Sequence, residues 1–243
     1  MIFERARSLL GEDAFDRLCA ANVAIFGVGG VGGWCAEALV RSGVRHLTIV
    51  DPDRVVPSNV NRQAMATSAT IGQLKVEALA ARLKEISPDV ELEPIARRYD
   101  ETTAGMFDLG RFDCVVDAID SIDCKALLIR ETLVVGRPTL FSSMGAARRF
   151  DPTRVRSTPF SRVAGDRLAK ALRRRFRESG GVSDFLCVWS DEPAAPVPGG
   201  GLGSLMQVTA AFGMALASLV VDFARRGVVA DAPQDLAPCL SGL

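Results

Sequence analysis

Apolar and polar positions along this chain fall into blocks that switch between two periods. Residues 23–26, 46–50, 113–119 and 139–143 are short, mainly apolar runs of strand length, and residues 90–96 read as a further strand. Runs of that length, bounded by turn residues, suit strands covered on both faces. Between them the apolar residues recur every three to four positions. Residues 34–40 continue from a glycine-rich turn with helical spacing, and residues 71–86 set Leu74, Ala78, Leu79, Leu83 and Ile86 on one face before Pro88 stops the pattern. A short helix over 102–109 and a longer one over 123–135 are predicted in the same way. Strand and helix in alternation imply a parallel sheet wound with right-handed crossovers. The expected class is α/β: a Rossmann-like, doubly wound, mostly parallel sheet.

The pattern changes near Asp151-Pro152. Residues 1–150 read as a nucleotide-binding core, and residues 151–243 as a C-terminal extension of the same globular unit. Residues 167–177 combine an apolar face at Leu168, Leu172 and Phe176 with a dense run of arginines and one lysine. A Pro- and Gly-rich loop runs from Pro193 to Gly201. The uncharged stretch 204–221 is at the lower limit for spanning a bilayer, but Ser204, Gln207, Thr209 and Ser218 dilute it and five Ala or Gly residues suit tight packing. It is expected to be a late buried helix rather than a membrane span.

Chemistry enters at the first turn. The loop Gly27-Val28-Gly29-Gly30-Val31-Gly32 follows the first strand and opens a helix, the arrangement that holds phosphates on backbone N–H groups. The second strand ends in Asp51, about 20 residues on, where a carboxylate can take both ribose hydroxyls. A dehydrogenase would share these features. Arg62 and Lys75 go beyond it, because a triphosphate attacked at phosphorus requires fixed cations and a metal. The fourth strand ends in Asp117 and Asp120, and Asp120 is the expected carboxylate for Mg2+ at the phosphates.

The motifs GVGGVG, DPD, SNVNRQ, GQLK and DAIDS together resemble those of the ubiquitin-activating superfamily, whose bacterial members adenylate carboxylates. Phe3-Glu4-Arg5, Ser142 to Ala146, Phe150 to Thr153 and Val188 to Pro193 are most similar to the tRNA threonylcarbamoyladenosine dehydratases within it. This resemblance implies ATP and Mg2+ as cofactors, tRNA as partner, and adenylation followed by ring closure. It also implies that Asp53, Asn59 and Gln63 join Gly27, Gly29, Gly30, Gly32, Asp51, Arg62, Lys75 and Asp120 around the nucleotide. It further implies that Arg5 reaches the ATP site of a second subunit, hence a homodimer. The alternative is an adenylyltransferase acting on a ubiquitin-like sulfur carrier, with a sulfur-relay protein as partner and Cys187 as the thiol nearest the later motifs.

Composition narrows the partners. With 29 basic and 29 acidic side chains the 243-residue chain has a formal net charge of +0, so RNA has to be met by a local patch. Arg148 and Arg149, near the end of the fifth strand, and Arg173, Arg174 and Arg175 are the expected patch. The 6 cysteines are dispersed with no CxxC pair, so no zinc site is expected. Charged residues interrupt the first fifteen positions, which leaves no signal-peptide core and points to a cytoplasmic protein.

Overall fold

The computed structural model describes residues 2–199 and 203–227. Gly200 and Gly201 of the Pro- and Gly-rich loop, and Cys239, lie outside the described residues. The chain opens with two helices, α1 (Glu4–Leu10) and α2 (Glu12–Ala20). It then alternates through β1 (Asn22–Phe26), α3 (Gly32–Ser42), β2 (His46–Val50), α4 (Lys75–Ile86) and β3 (Glu91–Ile95). The next elements are β4 (Cys114–Asp117), α5 (Ile122–Val135) and β5 (Thr139–Ser143). The C-terminal part supplies β6 (Val155–Pro159), α6 (Arg167–Glu178), β7 (Leu186–Ser190) and α7 (Met206–Arg226).

All strands join one 7-stranded sheet in the order β3-β2-β1-β4-β5-β7-β6. Every pairing is parallel except β6 against β7. The chain therefore reverses its winding direction between β1 and β4, and the crevice outside the C-terminal strand ends at that point is where open α/β sheets bind ligands. β7 pairs directly with β5, so the residues after 151 extend the same sheet. Two apolar clusters cover its faces. One joins α3, α4 and α7 through Leu39, Leu79, Phe212 and Leu216, and the other joins α5 and α6 through Leu128, Ile129, Leu172 and Phe176.

Local differences from the pattern have local causes. The fourth helix begins at Lys75 rather than residue 71, because Gly72 turns the chain at φ +89° and Leu74 stays extended, bridging to Arg54. The short helix expected over 102–109 is two 3-10 turns, Ala104–Met106 and Leu109–Arg111, the second capped by the Asp108 carboxylate on Gly110 N–H. α7 is the one described helix long and apolar enough to cross a membrane. It buries Val208, Phe212, Leu216 and Val220 and packs against α3.

Candidate active site

β1 delivers the chain into a turn that only glycine can close. A methyl group on Gly32 would stand 1.9 Å from the Gly27 carbonyl oxygen. One on Gly27 would stand 2.6 Å from the Ala118 carbonyl oxygen, so the loop after β4 lies directly against the phosphate loop. Gly33 N–H donates back to the Gly29 carbonyl at 3.1 Å, which closes the loop onto α3, and the positive N-terminal end of that helix carries no acidic residue in its first turn. That positive end is open to an anion.

Asp51, at the end of β2, is buried. Its Oδ2 accepts Val28 N–H at 2.9 Å and its Oδ1 accepts Asp53 N–H at 2.9 Å. The carboxylate thus ties the phosphate loop to the DPD turn, and its remaining lone pairs suit ribose hydroxyls. Burial pushes the Asp51 pKa up, and the charge of Lys75 opposes that push. Lys75, expected as a cation at the phosphates, is held here by two carboxylates. It is buried at the first turn of α4, 2.8 Å from Asp53 Oδ2 and 3.7 Å from Asp51 Oδ1. The DPD turn folds onto it, since its own N–H also donates to the Asp53 carbonyl at 2.9 Å.

The SNVNRQ segment forms a cover over the phosphate loop. Asn59 is buried and organises it, accepting Val56 N–H on Oδ1 at 3.1 Å while its carbonyl accepts Arg62 N–H at 3.1 Å and Gln63 N–H at 3.0 Å. The Arg62 stem crosses Gly30, whose missing methyl would lie 3.3 Å from Arg62 Cγ. Its Nη1 donates to Ser58 O at 2.8 Å and Asn61 Oδ1 at 2.9 Å. No ion pair neutralises it among the described residues. Gln63 is buried beside Gly29, and its Oε1 lacks a hydrogen-bond partner. A buried orphan acceptor costs about 1–3 kcal/mol, and the Gln63 atom nearest Gly29 is the amide Nε2, a donor of the kind phosphate oxygens accept.

Asp120 is exposed. Its position is set by a buried group that the sequence pattern did not single out. Asp117 and Lys125 are both fully buried and 2.7 Å apart, and Ser142 Oγ donates to Asp117 Oδ2 at 2.6 Å. Lys125 Nζ also donates to the Ile119 carbonyl at 2.9 Å, while Ile119 N–H donates to Asp117 Oδ1 at 3.1 Å. Burial pushes the Asp117 pKa up, against Lys125, Ser142 and Ile119. The segment leading to Asp120 is thereby held from both sides against Gly27. An Asp at a strand end with a Lys eight residues on, in the first turn of the next helix, was the available signal. Among the described residues no group of three or more His, Cys, Asp or Glu can hold a metal alone. One exposed carboxylate at the phosphates nevertheless fits Mg2+, which takes few protein ligands and keeps phosphate oxygens and water.

The expected RNA patch is divided by burial. Arg149 is buried, donating to Gly145 O at 3.0 Å, to the Glu192 carbonyl and to Asp166 Oδ2 at 2.9 Å. It is a clamp inside the protein and no contact for phosphate. Arg173 is likewise committed, to Phe160 O at 2.8 Å and Val163 O at 2.6 Å, with its guanidinium over the Phe160 ring. Arg148 turns its Nε to Ala195 O at 2.6 Å. Arg174 and Arg175 are exposed, the first paired with Glu178 and the second with Asp123. Arg5 is exposed on α1 with no ion pair among the described residues, whereas Arg7 is engaged by Glu12 and Phe15. Cys187 is fully buried with its thiol pushed up to about 12 by that burial, which removes the accessible thiolate that sulfur transfer needs.

Known proteins share this fold and much of its sequence. The chain is 41% identical over 191 residues to the tRNA threonylcarbamoyladenosine dehydratase of Bacillus subtilis, covering 78% of this chain and 74% of that one. It is 31% identical over 234 residues to the Haemophilus influenzae dehydratase of the same name, covering 88% and 89%. Its fold superposes on the crystal structure of Escherichia coli tRNA N6-threonylcarbamoyladenosine dehydratase in complex with ATP with a TM-score of 0.87, at 31% identity, covering 93% and 94%. The ThiF family model matches residues 3–222, and with the glycine loop, the buried Asp51 and the Arg62 cover in place, the chain belongs to the ThiF family.

Proposed function

We infer that this chain is a tRNA threonylcarbamoyladenosine dehydratase that uses ATP to activate a carboxylate. The observation that carries the reading is Arg62, a cation laid across Gly30 of the phosphate loop and neutralised by no carboxylate among the described residues. Backbone N–H groups alone serve a dinucleotide, whereas developing charge at phosphorus draws on a fixed cation of this kind. The relatives named above carry the dehydratase name, and one was crystallised with ATP.

In this reading the ribose sits on Asp51, and the phosphates sit between the N-terminus of α3 and Arg62. Lys75 acts from behind the DPD turn, and Asn59 and Gln63 line the cover. Asp120 is the carboxylate for Mg2+, which when bound supplies positive charge at the phosphates. The threonyl carboxylate of the modified adenosine attacks the α-phosphorus and pyrophosphate leaves. The ureido oxygen of the same group then attacks the acyl carbon, the ureido proton is released, and AMP departs with the former carboxylate oxygen. The nucleoside loses one water overall. Because nucleophile and acyl carbon belong to one molecule, proximity drives closure and no enzyme nucleophile is needed.

The same reading includes a cytoplasmic homodimer in which Arg5 of one subunit completes the ATP site of the other. Its support is an uncovered apolar surface: α1 buries no residue, Ile2 and Leu9 are 73% and 87% exposed, and Leu205, Met206 and Met214 lie open along α7. The function is tested by incubating threonylcarbamoyladenosine-containing tRNA with the protein and Mg-ATP, then weighing the nucleosides. Loss of one water from that nucleoside, with AMP and pyrophosphate in equal amount, is expected. Unchanged nucleosides from protein that binds ATP would overturn it.

A further inference from the structure

The loop after β5 is held far more firmly than an exposed connection requires. Arg148 sits at φ +65°, a conformation costly for a non-glycine residue, with its N–H donating to Gly203 O at 2.8 Å and its carbonyl accepting Ala195 N–H at 2.8 Å. The buried Arg149 clamps Gly145, Glu192 and Asp166 together. The N–H groups of Phe150 and Asp151 each reach the Glu192 carboxylate at 3.0 Å. What this scaffold presents to solvent is the ring of Phe150, 63% exposed.

A single exposed aromatic is ordinary on a protein surface. Here its surroundings distinguish it. Asp166, the partner of Arg149, is also the N-cap of α6, accepting Ala169 N–H at 2.9 Å. Phe150 is therefore fastened to the start of that helix. α6 buries Ala169, Leu172 and Phe176, and its exposed positions Arg167, Lys170, Arg174 and Arg177 follow helical spacing along the opposite face. Arg175 pairs with Asp123 at 2.9 Å, in the first turn of α5 and three residues past Asp120. The helix thus touches the rim of the sheet at the end of β5 and beside the Asp120 loop. In a chain of formal net charge +0 this stripe is a local concentration of positive charge.

An exposed aromatic on a firmly held backbone, tied through Arg149 and Asp166 to the start of a track of cations, has the chemistry that unpaired RNA requires. Bases splayed from a loop stack on aromatic rings, and their phosphates take Arg and Lys. We propose that Phe150 and the α6 stripe of Arg167, Lys170, Arg174 and Arg177 form the docking surface for the substrate RNA loop. Phe150 stacks on an unpaired base and the stripe follows the backbone. The proposal rests on the dehydratase reading and replaces Arg149 and Arg173 as the groups that meet RNA.

The test measures tRNA binding across a salt series, ATP binding and tRNA turnover in wild type, Phe150→Ala, Phe150→Trp and a variant with all four stripe cations changed to Gln. All the substituted side chains are exposed, and melting curves verify that the fold is kept. Phe150→Ala is expected to weaken tRNA binding about 5- to 150-fold, from the value of one stacked base, with the salt slope unchanged. Phe150→Trp should bind like wild type. The stripe variant should flatten the salt slope by roughly 0.7 for each phosphate it no longer neutralises. ATP affinity should hold in all four proteins. Wild-type tRNA affinity in Phe150→Ala, or a wild-type salt slope in the stripe variant, overturns the docking surface while leaving the dehydratase reading intact. Wild-type protein that binds ATP yet converts no tRNA overturns both.

Discussion

Arg62 and Lys75 are two cations of the proposed nucleotide site, and burial sets them apart. Lys75 is buried between Asp51 and Asp53, so Lys75→Ala leaves a buried carboxylate without its counter-charge. That change should cost on the order of 1–3 kcal/mol of stability as well as activity, less than a fully buried pair because Asp53 is open to solvent. Arg62→Ala removes a side chain that holds only turn oxygens. It should melt like wild type and lose about 100-fold in ATP–pyrophosphate exchange, the scale of one missing cation at developing charge. Denaturant midpoints and exchange rates measured together check this; equal stability losses in the two variants would erase the distinction. The residues proposed for the nucleotide could be picked out in sequence because phosphate chemistry favours their type and order near glycine, and the fold gathers Asp51, Arg62 and Gln63 around that loop. The later arginines could not be told apart in this way. Arg148, Arg149 and Arg173 look alike in sequence, but Arg149 is buried by Asp166 and Glu192, partners that come near only after folding. Lys125 was missed for the same reason, since its value lies in reaching Asp117 and Ile119 across a turn.

At the scale of elements, β1, β2, β4 and β5 follow their apolar runs because each is buried in the sheet, whereas β3 is an exposed edge strand with Glu91 and Glu93. β6 left no such trace. It is an antiparallel edge strand, Val155-Arg156-Ser157-Thr158-Pro159, with mixed polarity and a terminal proline that a central strand would not accept. Arg156 within it and Arg154 just before it both grip Asp191 beyond the end of β7, at 2.8 and 2.7 Å. Packing between elements also depends on charge. Glu37 of α3 accepts Arg82 of α4 at 2.6 Å and Arg41 at 2.9 Å. Burial alone would raise its pKa, but the hydrogen bonds and charges of Arg82 and Arg41 outweigh it and hold the carboxyl below its ordinary value. A lowered folded pKa means that the stabilisation is fully present above the unfolded carboxyl's pKa and is lost as pH falls through the folded one. The stability gap between wild type and Glu37→Gln should therefore be largest near pH 7 and shrink progressively below about pH 4.3. Urea midpoints across that range report it, and a gap that stays constant would mean that the α3–α4 pair contributes nothing through ionisation.

For the whole molecule, what remains uncovered says most. α1 carries exposed Arg5 and Leu9 and buries nothing, and α7 turns Met206 and Met214 outward. Leu10 at the core edge and the contacts of Phe3 and Arg7 with Phe15 hold the inner side of α1, and in the proposed homodimer a second copy covers its outer side and takes Arg5 into its ATP site. Complementation tests this arrangement. Arg5→Ala and Asp120→Ala chains are each expected to be inactive alone. In a mixed dimer one site keeps its own Asp120 and receives Arg5 from the Asp120→Ala subunit, while the other site lacks both. With free exchange about half the dimers are mixed, and each carries one intact site, so turnover should recover to about a quarter of wild type if the sites act independently. Subunit exchange is followed separately with differently tagged chains. Mixed dimers without recovered turnover would assign Arg5 to its own subunit and remove the partner's arginine from the ATP site.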